Sequence, residues 1–327
     1  MADAGFQHRA LVYEGADEYL AGTVPFLWAA LEAEEPVLAA VGQEKVKLLE
    51  AELGGDAPWV HFVAMEEVGR NPAALIPLWR NFLDESDGGA VRGIAEPIWR
   101  DRGPAVLEEC HRHEALLNLA FANDPALSLL CPYDSGSLPA DAIERVAVSH
   151  RHVEREGRTE ESGAFDAAVD CFAGELSAPA SAPETLAFGL TELKEVRDQV
   201  ASAAKEAGMD SRGVADLVIA TSELAANSVM HGGGTGTLRL WRENGSLLAE
   251  VEDRGRIEEP LVGRLRPGIA QEGGRGLWLA NRLCDLVQIR SGEGGTTVRL
   301  HLLVGERAGT NEPFSAPMDP RTEPSQA

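Results

Sequence analysis

Ser222-Glu223-Leu-Ala-Ala-Asn227-Ser-Val-Met-His231 is the stretch of this sequence that decides the fold of its second half. It predicts a helix in which Glu223, Asn227 and His231 recur at intervals of four residues and therefore share one stripe of the helix surface. The side-chain oxygen of Asn227 is a hard ligand suited to Mg²⁺, and Glu223 one turn earlier can orient or deprotonate a hydroxyl nucleophile. The same pattern is also typical of a solvated helix face, and the stretch alone leaves both interpretations open.

Downstream of this helix, Glu252-Asp253-Arg-Gly255-Arg256 ends a predicted strand. A carboxylate at such a position, here Asp253, can accept a hydrogen bond from an exocyclic amino group such as that of adenine. Gly255 lets the backbone approach a flat ring closely because it has no side chain. Asp-x-Gly is equally a common turn, so this patch has functional meaning only together with the others.

A glycine-rich stretch, Gly273-Gly274-Arg275-Gly276-Leu277, opens the next predicted helix. Its three glycines free the backbone to wrap phosphate groups. The helix start that follows supplies unpaired N–H groups and a positive dipole end. Arg275 adds a cation at the same place.

The last patch, Gly294-Gly-Thr-Thr297, fits either a plain hairpin turn or a threonine hydroxyl beneath a nucleotide. The four patches stand in one order, and that order resembles the N, G1, G2 and G3 boxes of the GHKL ATPases over roughly residues 184–304. The chain departs from the family's Asp-x-Gly-x-Gly pattern at Arg256, which bears on the shape of the adenine pocket.

The resemblance implies a Bergerat fold, an α+β sandwich that binds ATP and Mg²⁺. By its motifs, Asn227 would hold Mg²⁺, Asp253 would read the adenine amino group, and Thr297 would assist at the base. The other residues that it places at the nucleotide are His231, Gly255, Gly273, Gly274, Arg275, Gly276 and Leu277.

Within this superfamily, the compact domain and the spelling of residues 222–231 look most like the anti-sigma factor serine/threonine kinases of the Rsb type. Those proteins bind a sigma factor or an anti-anti-sigma (STAS-type) protein, and they phosphorylate a serine or threonine of the latter. The resemblance makes Glu223 the catalytic base of an in-line phosphoryl transfer from ATP. It leaves the oligomeric state open, a homodimer included.

Two other functions remain open at this point. An orphan sensor histidine kinase needs a helical hairpin with a phospho-acceptor histidine. Ser149-His150-Arg-His152 is the candidate for that histidine, although the Pro-rich residues 176–183 interrupt the region. A non-catalytic regulator would use ATP only to stabilise a partner-binding surface.

The first half of the chain alternates short apolar runs with helical patterns. The runs show no polar alternation, as in strands that are covered on both faces, so the sequence predicts a Rossmann-like parallel sheet sandwich. The predicted strands are Ala10–Tyr13, Pro36–Val41, Trp59–Val63, Val91–Ala95 and Leu127–Cys131. The predicted helices are Glu18–Glu32, Gln43–Leu53, Ala73–Leu83 and Pro104–Asn123.

The second half has a different order of elements. Its predicted helices are 186–207, 212–231 and 276–284, and its predicted strands are 237–241, 247–252, 286–290 and 297–303, with a two-residue hairpin at Asn244-Gly245. The predicted domains are therefore 1–155 and 184–304, joined by a linker at 156–183 that includes a short helix at 165–176. Residues 305–327 are predicted to be a disordered tail.

Several residues of the first half look similar to the MEDS sensory domain, which is found fused to signalling modules. They are His8, Tyr13, Glu96-Pro97, Glu108, His111, Glu114 and Cys131-Pro-Tyr133-Asp134. The resemblance implies a sensor that controls the second domain, with any small-molecule ligand beyond the carboxyl ends of the strands, near Glu96 and Tyr133. Glu108 and His111, with Glu114 further along, suit a metal site, but a solvated and partly paired helix face is the favoured interpretation.

Composition excludes several classes of function. The net charge of −24 and the absence of a basic cluster argue against binding to nucleic acid. The sequence has neither an 18-residue apolar run nor a secretory signal, so we expect a cytoplasmic protein that does not cross a membrane. Its four cysteines form no CxxC pair, which argues against disulfides and a structural zinc site and favours small buried hydrophobic residues.

Overall fold

The computed structural model describes residues 5–86, 88–124, 126–166, 170–268 and 274–305. These residues divide into two compact units, one up to residue 166 and one from residue 170. Within the described ranges, no helix is long and apolar enough to cross a membrane. The tail predicted at 305–327 lies, apart from Gly305, outside the described residues.

The first unit is built on a seven-stranded sheet with the order β3-β2-β4-β5-β1-β6-β7. Neighbouring strands are parallel, except that β7 is antiparallel to β6. The strands are β1 (Gln7–Tyr13), β2 (Val37–Val41), β3 (His61–Ala64), β4 (Val91–Ala95), β5 (Leu127–Asp134), β6 (His152–Arg155) and β7 (Arg158–Glu161). The helices are α1 (Gly15–Glu32), α2 (Gln43–Leu53), α3 (Met65–Val68), α4 (Leu75–Glu85), α5 (Pro104–Ala120) and α6 (Ala140–Ser149).

The predicted parallel sandwich is confirmed, and its burial pattern explains why. All five residues of β2 are buried, as expected for a strand covered by helices on both faces. The edge strand β7 and its partner β6 were not predicted. All four residues of β7 are exposed, so that strand carries no apolar signal in the sequence.

The second unit is a five-stranded antiparallel sheet with the order β11-β12-β10-β9-β8. Its strands are β8 (Glu184–Phe188), β9 (Gly236–Glu243), β10 (Ser246–Asp253), β11 (Leu286–Gly292) and β12 (Gly295–Leu303). Its helices are α7 (Leu193–Glu206), α8 (Ser211–His231) and α9 (Arg275–Leu283). One apolar cluster joins the helices to one face of the sheet, and this is the predicted α+β sandwich.

Local sequence signals account for two junctions in this unit. Asn244 and Gly245 have φ values of 48° and 75°, as the predicted two-residue hairpin between β9 and β10 requires. The carboxylate of Asp210 accepts a hydrogen bond of 2.7 Å from the Gly213 N–H and caps α8.

Two helix predictions are wrong. Residues 186–207 do not form one helix, because Glu184–Phe188 is the edge strand β8 and α7 begins only at Leu193. Phe188 is buried, and the Gly189 N–H donates a hydrogen bond of 2.8 Å to the Glu192 carboxylate in the turn before α7. The short helix predicted at 165–176 is absent from the described part of that range, residues 165–166 and 170–176. Directly after that range, Ser177 O accepts a hydrogen bond of 2.9 Å from Arg299, which holds the chain at Ser177 against β12.

Candidate functional site

A cavity of about 290 Å³ opens in the second unit between the C-terminal half of α8, the ends of β10 and β12, and the start of α9. Its walls are largely apolar, with a few polar groups aimed inward, as is usual for sites that bind small molecules. The cavity brings together six of the residues predicted from sequence: Asn227, His231, Asp253, Gly255, Gly274 and Leu277.

Asp253 is the most firmly held polar group of this cavity. Its Oδ2 accepts a hydrogen bond of 2.6 Å from the Ser228 hydroxyl, and its Oδ1 accepts one of 2.7 Å from the Gly255 N–H. Both oxygens are therefore oriented before any ligand arrives, and each keeps acceptor capacity. Ser228 was not identified from the sequence as a site residue, although it stands next to Asn227 in the stretch 222–231.

Three glycines leave room around Asp253. A Cβ at Gly232 would lie 2.4 Å from Asp253 Cγ, one at Gly255 would lie 2.9 Å from Asp253 Oδ1, and one at Gly295 would lie 2.2 Å from Asp253 O. None of these distances is compatible with a real Cβ, so the position of Asp253 depends on glycine at all three places. Gly232 and Gly295 are members of the site that were not identified as such from the sequence.

The hairpin between β11 and β12 contributes Thr296, and this corrects the prediction of Thr297. Thr296 is buried, is paired with Asp253 across the strands, and donates a hydrogen bond of 2.9 Å to Gly255 O. Because side chains alternate along a strand, Thr297 faces the opposite side of the sheet, away from the cavity. With two consecutive threonines, the sequence did not show which one faces inward.

Glu223 and Asn227 lie one turn apart on α8 and face the first turn of α9. A Cβ at Gly276 would come within 3.0 Å of Asn227 Nδ2 and within 3.2 Å of Glu223 Oε2. The two side chains therefore lie directly against the backbone at the start of α9, and Gly276 is the residue that permits this approach. Two positions of the predicted helical stripe, Glu223 and Asn227, are therefore half-buried against α9, whereas His231 is exposed at the cavity rim.

The start of α9 has the form predicted for a phosphate-binding turn. Gly274 is the N-cap residue with a φ of 76°, a left-handed conformation that favours glycine. Gly276 and Leu277 are buried in the first turn, and Arg275 is exposed there. Gly273, also predicted to bind the nucleotide, lies outside the described residues.

Arg256, where the chain departs from the family pattern, does not fill the cavity. Its side chain is 61% exposed at the rim and lies 3.8 Å from the carboxylate of Glu258. The next residue is anchored from its backbone, because the Ile257 N–H donates a hydrogen bond of 2.8 Å to Ser291 Oγ. The arginine therefore alters the rim of the cavity rather than its interior.

The cavity has the donor and acceptor set that a purine nucleotide with Mg²⁺ requires. Asp253 offers an oriented carboxylate beside a glycine-lined space, and Asn227 offers an amide oxygen for Mg²⁺. The N-terminus of α9 presents a positive dipole end to phosphate oxygens. The residues present therefore fit Mg-ATP.

In the first unit, the predicted ligand position near Glu96 is filled by the protein's own side chains. Glu96 is buried and accepts a hydrogen bond of 3.1 Å from Tyr13 OH, and Lys45 pairs with the same carboxylate. The Lys45 ammonium also lies 4.9 Å from the ring centroids of Tyr13 and Tyr19. Burial raises the pKa of Glu96 above its usual range, and the Lys45 charge opposes that shift.

Tyr133, predicted to share that position, belongs to a different cluster. Its ring packs edge-on against His150 at 5.6 Å between centroids. On α5, Glu108 pairs with Arg112 and Arg145 at 3.0 and 2.7 Å, as expected for a partly paired helix face. Glu114 does not follow that interpretation, because it is completely buried.

His150, the phospho-acceptor candidate of the histidine-kinase alternative, is also completely buried. Its Nδ1 lies 2.9 Å from Val146 O, and its Nε2 lies 3.4 Å from a carboxylate oxygen of Glu114. A catalytic domain cannot reach this imidazole without opening the first unit. Its neighbour His152 lies on β6 and is half-buried.

Comparison with known proteins gives matches to two family models. Residues 7–151 match the MEthanogen/methylotroph, DcmR Sensory domain (MEDS), and residues 186–302 match the histidine kinase-like ATPase domain.

Among solved structures, the RsbU and RsbW domains of Rv1364c from Mycobacterium tuberculosis are similar at 26% identity and a TM-score of 0.30, over 38% of this chain and 32% of that chain. This chain thus spans about a third of the length of that structure. The catalytic domain of histidine kinase ThkA matches at 15% identity and a TM-score of 0.26, over 37% of this chain and 96% of that chain. The Acinetobacter baumannii histidine kinase AdeS matches at 12% identity and a TM-score of 0.22, over 38% and 68% of the two chains.

The family matches coincide with the two sheets of the structure, and the second of them coincides with the cavity around Asp253. The chain therefore joins a MEDS sensory domain at residues 7–151 to a histidine kinase-like ATPase domain at residues 186–302.

Proposed function

We propose that the ATPase domain transfers the γ-phosphoryl group of ATP to a serine or threonine of an anti-anti-sigma (STAS-type) protein, under the control of the MEDS domain. A sigma factor would be the second, competing partner. The family match supports an ATP-binding regulator of the kinase-like type. The choice of acceptor rests on the geometry of α8 and on the burial of His150.

The observation that carries the proposal is the position of Glu223. Its carboxylate lies one turn from Asn227 and against the first turn of α9, where phosphate groups would sit. A base at that place accepts the proton of an incoming serine or threonine hydroxyl. The hydroxyl oxygen forms a bond to the γ-phosphorus, and the bond between the γ-phosphorus and the bridging oxygen of the β-phosphate breaks. A domain that only bound ATP would not need a carboxylate there.

Each of the other residues then has a separate role. Asp253 orients the adenine, and Thr296 supports the loop beneath it through Gly255 O. Asn227 would hold Mg²⁺, which neutralises charge on the phosphate oxygens. The start of α9 donates N–H groups to the same oxygens.

A serine or threonine of another protein is favoured over histidine as the acceptor. His150 is enclosed by the first unit and cannot meet a phosphate donor. A non-catalytic, ATP-dependent regulator is the second candidate, and Met230 supports it. This apolar side chain lies at the cavity rim with 65% of its surface exposed, next to the place where a partner would contact the nucleotide.

One experiment separates these functions. The full chain is incubated with [γ-³²P]ATP, Mg²⁺ and each purified STAS-type protein of the source organism, and ATP affinity is measured by calorimetry. We expect Glu223→Gln to lower the rate of labelling by about 100-fold to 10,000-fold with nearly unchanged ATP affinity. Glu195→Gln, an exposed carboxylate on α7, is the matched control and should behave as the wild type.

The other outcomes are equally informative. Labelling that survives Glu223→Gln would show that another group is the base. Acid-labile label on the chain itself would support histidine phosphorylation. ATP binding without label on any partner would support the non-catalytic regulator.

A further inference from the structure

Four buried side chains with metal-ligating atoms meet inside the first unit. They are His8 on β1, Glu114 on α5, Cys131 on β5 and His150 directly after α6, and one ligand atom from each lies within 4.8 Å of all the others. His8 is 5% exposed and the other three are 0% exposed. The family matches assign no role to this group.

The tautomer of His8 is fixed by Asn118. The Asn118 amide nitrogen donates a hydrogen bond of 2.7 Å to Ser149 O, so its oxygen faces His8 Nδ1 at 3.1 Å. An amide oxygen only accepts, and therefore Nδ1 of His8 carries the proton. The lone pair of His8 Nε2 is left pointing at Glu114 Oε2, 3.0 Å away.

His150 is oriented in the same way. Its Nδ1 lies 2.9 Å from Val146 O, a backbone carbonyl that can only accept a hydrogen bond. Its Nε2 therefore also presents a lone pair, and it faces the same carboxylate oxygen of Glu114 at 3.4 Å. A ring N–H held by a carbonyl or amide oxygen, with the other nitrogen free, is the usual arrangement of a metal-binding histidine.

Too few protons are available for the atoms that converge here. With both imidazoles neutral, the donors that face this group are the Cys131 thiol, whose sulfur lies 3.4 Å from His8 Nε2, and the Tyr133 hydroxyl beside Glu114. Among the described residues, His150 Nε2 and Glu114 Oε1 have no hydrogen-bond partner although both are buried. Buried acceptors that face one another in this way need a cation between them, either a proton on an imidazole or a metal ion, and a metal ion satisfies several of them together.

We propose that His8, Glu114, Cys131 and His150 bind one divalent transition-metal ion of the Zn²⁺ class. On binding, the thiol of Cys131 loses its proton to solvent, and the thiolate and carboxylate then balance the two charges of the ion. The buried site is neutral as a whole, and His150 Nε2 is no longer without a partner.

The donor set and its spacing favour Zn²⁺ over hard cations. Two nitrogens, one sulfur and one oxygen form a common tetrahedral set for Zn²⁺, whereas Mg²⁺ and Ca²⁺ take oxygen ligands. Zn²⁺ bond lengths place tetrahedral ligand atoms about 3.3–3.6 Å apart. Three of the six separations between the ligand atoms, 3.0, 3.4 and 3.4 Å, are close to that range, and all six lie within 4.8 Å. The expectation from sequence that the cysteines are only small hydrophobic residues therefore does not extend to Cys131.

The test uses the full chain with any affinity tag removed. Metal content is measured by mass spectrometry after growth with added Zn²⁺, and the metal-free protein is then titrated with Co²⁺ alone. We expect about one Zn²⁺ per chain and a thiolate-to-cobalt charge-transfer band that saturates at about one equivalent and is displaced by Zn²⁺.

Two cysteine variants locate the site. Cys131→Ser should remove the band, whereas Cys110→Ser should keep it, because Cys110 is buried on α5 but lies outside the cluster. If Cys131→Ser fails to fold, the titration of the wild-type protein still decides. The proposal is overturned if wild-type chain binds neither ion stoichiometrically, or if the band persists in Cys131→Ser.

Discussion

The two sites of this chain are built on opposite plans. The ATP cavity is open, lined by apolar side chains and glycines, and assembled from α8 through β12, a single run of neighbouring elements. The His8–Glu114–Cys131–His150 cluster is closed, made of side chains, and drawn from strands and helices far apart in sequence. A site of the first plan can be changed with little effect on the fold, whereas a site of the second plan is part of the core. The predictions below test this contrast.

The largest effect is expected at Glu114. Glu114→Gln removes the anionic ligand from the proposed metal site and leaves the buried ion with one uncompensated charge, so the first unit should lose about 3–5 kcal/mol of unfolding free energy. Glu108→Gln, on the same helix but partly exposed, should cost under about 1 kcal/mol. Urea denaturation read out by hydrogen exchange of α5 peptides measures both. Equal losses of unfolding free energy in the two variants would contradict the expectation that Glu114 is part of the core.

The next effect concerns the glycines of the ATP cavity. Gly232 has a φ of −94°, which alanine can adopt, so the effect of Gly232→Ala comes only from the Cβ that would lie 2.4 Å from Asp253 Cγ. Displacing Asp253 should weaken ATP binding by about 2–3 kcal/mol, roughly 30-fold to 150-fold. Gly294→Ala, where a Cβ has open space, should leave binding unchanged. Calorimetric titration compares the two, and similar affinities would show that Asp253 is not the adenine contact.

A smaller effect distinguishes the two threonines of the last hairpin. Thr296→Val keeps the shape but removes the hydrogen bonds to Gly255 O and Ser291 Oγ, so ATP affinity should fall by about 1–1.5 kcal/mol, roughly 5-fold to 10-fold. Thr297→Val should have no measurable effect on the same titration. A loss at Thr297 instead would restore the assignment made from sequence.

The smallest effect is on pH dependence in the second unit. Burial, with the Arg299 charge, lowers the pKa of His301 to about 4, so the unfolded chain takes up a proton near the ordinary histidine pKa while the folded chain does not. The second unit should therefore lose about 1 kcal/mol of stability between about pH 7 and about pH 5.5. His301→Gln should flatten that part of the profile in thermal denaturation, and an unchanged slope would place the titrating group elsewhere.

The sequence predicted most of what is local in this molecule. The strands β2, β4 and β5, the hairpin at Asn244-Gly245 and the helix with Glu223 and Asn227 all follow from short-range patterns. The edge strands were missed because few of their residues are buried. All of β7 is exposed, and β8 has one buried residue, Phe188, so its sequence was assigned to the helix that follows. Whether such a segment forms a strand depends on pairing with a neighbouring strand, and a short stretch of sequence does not show that pairing.

The same limit applies to the sites. The positions of Asn227 and Asp253 could be predicted because each stands within a motif of a few residues. Which of Thr296 and Thr297 faces the cavity depends on the register of β12 against β10, which the sequence does not contain. His8, Glu114 and Cys131 were named from the sequence for their likeness to the MEDS domain, but not as one cluster, because His8 and Cys131 become neighbours only through the pairing of β1 with β5.

That pairing also has a consequence for how the protein is made. Strand β1 bonds only to late partners, with Gln7 opposite Ser128 and Arg9 opposite His152, whereas β9–β10 and β11–β12 close as hairpins. On the ribosome, β1 emerges long before β5 and β6, and its apolar residues stay without a partner until most of the first unit has been translated. The sheet of the MEDS domain is therefore expected to form late in synthesis, after β5 and β6 have emerged, whereas each hairpin of the ATPase domain can form as soon as its second strand emerges.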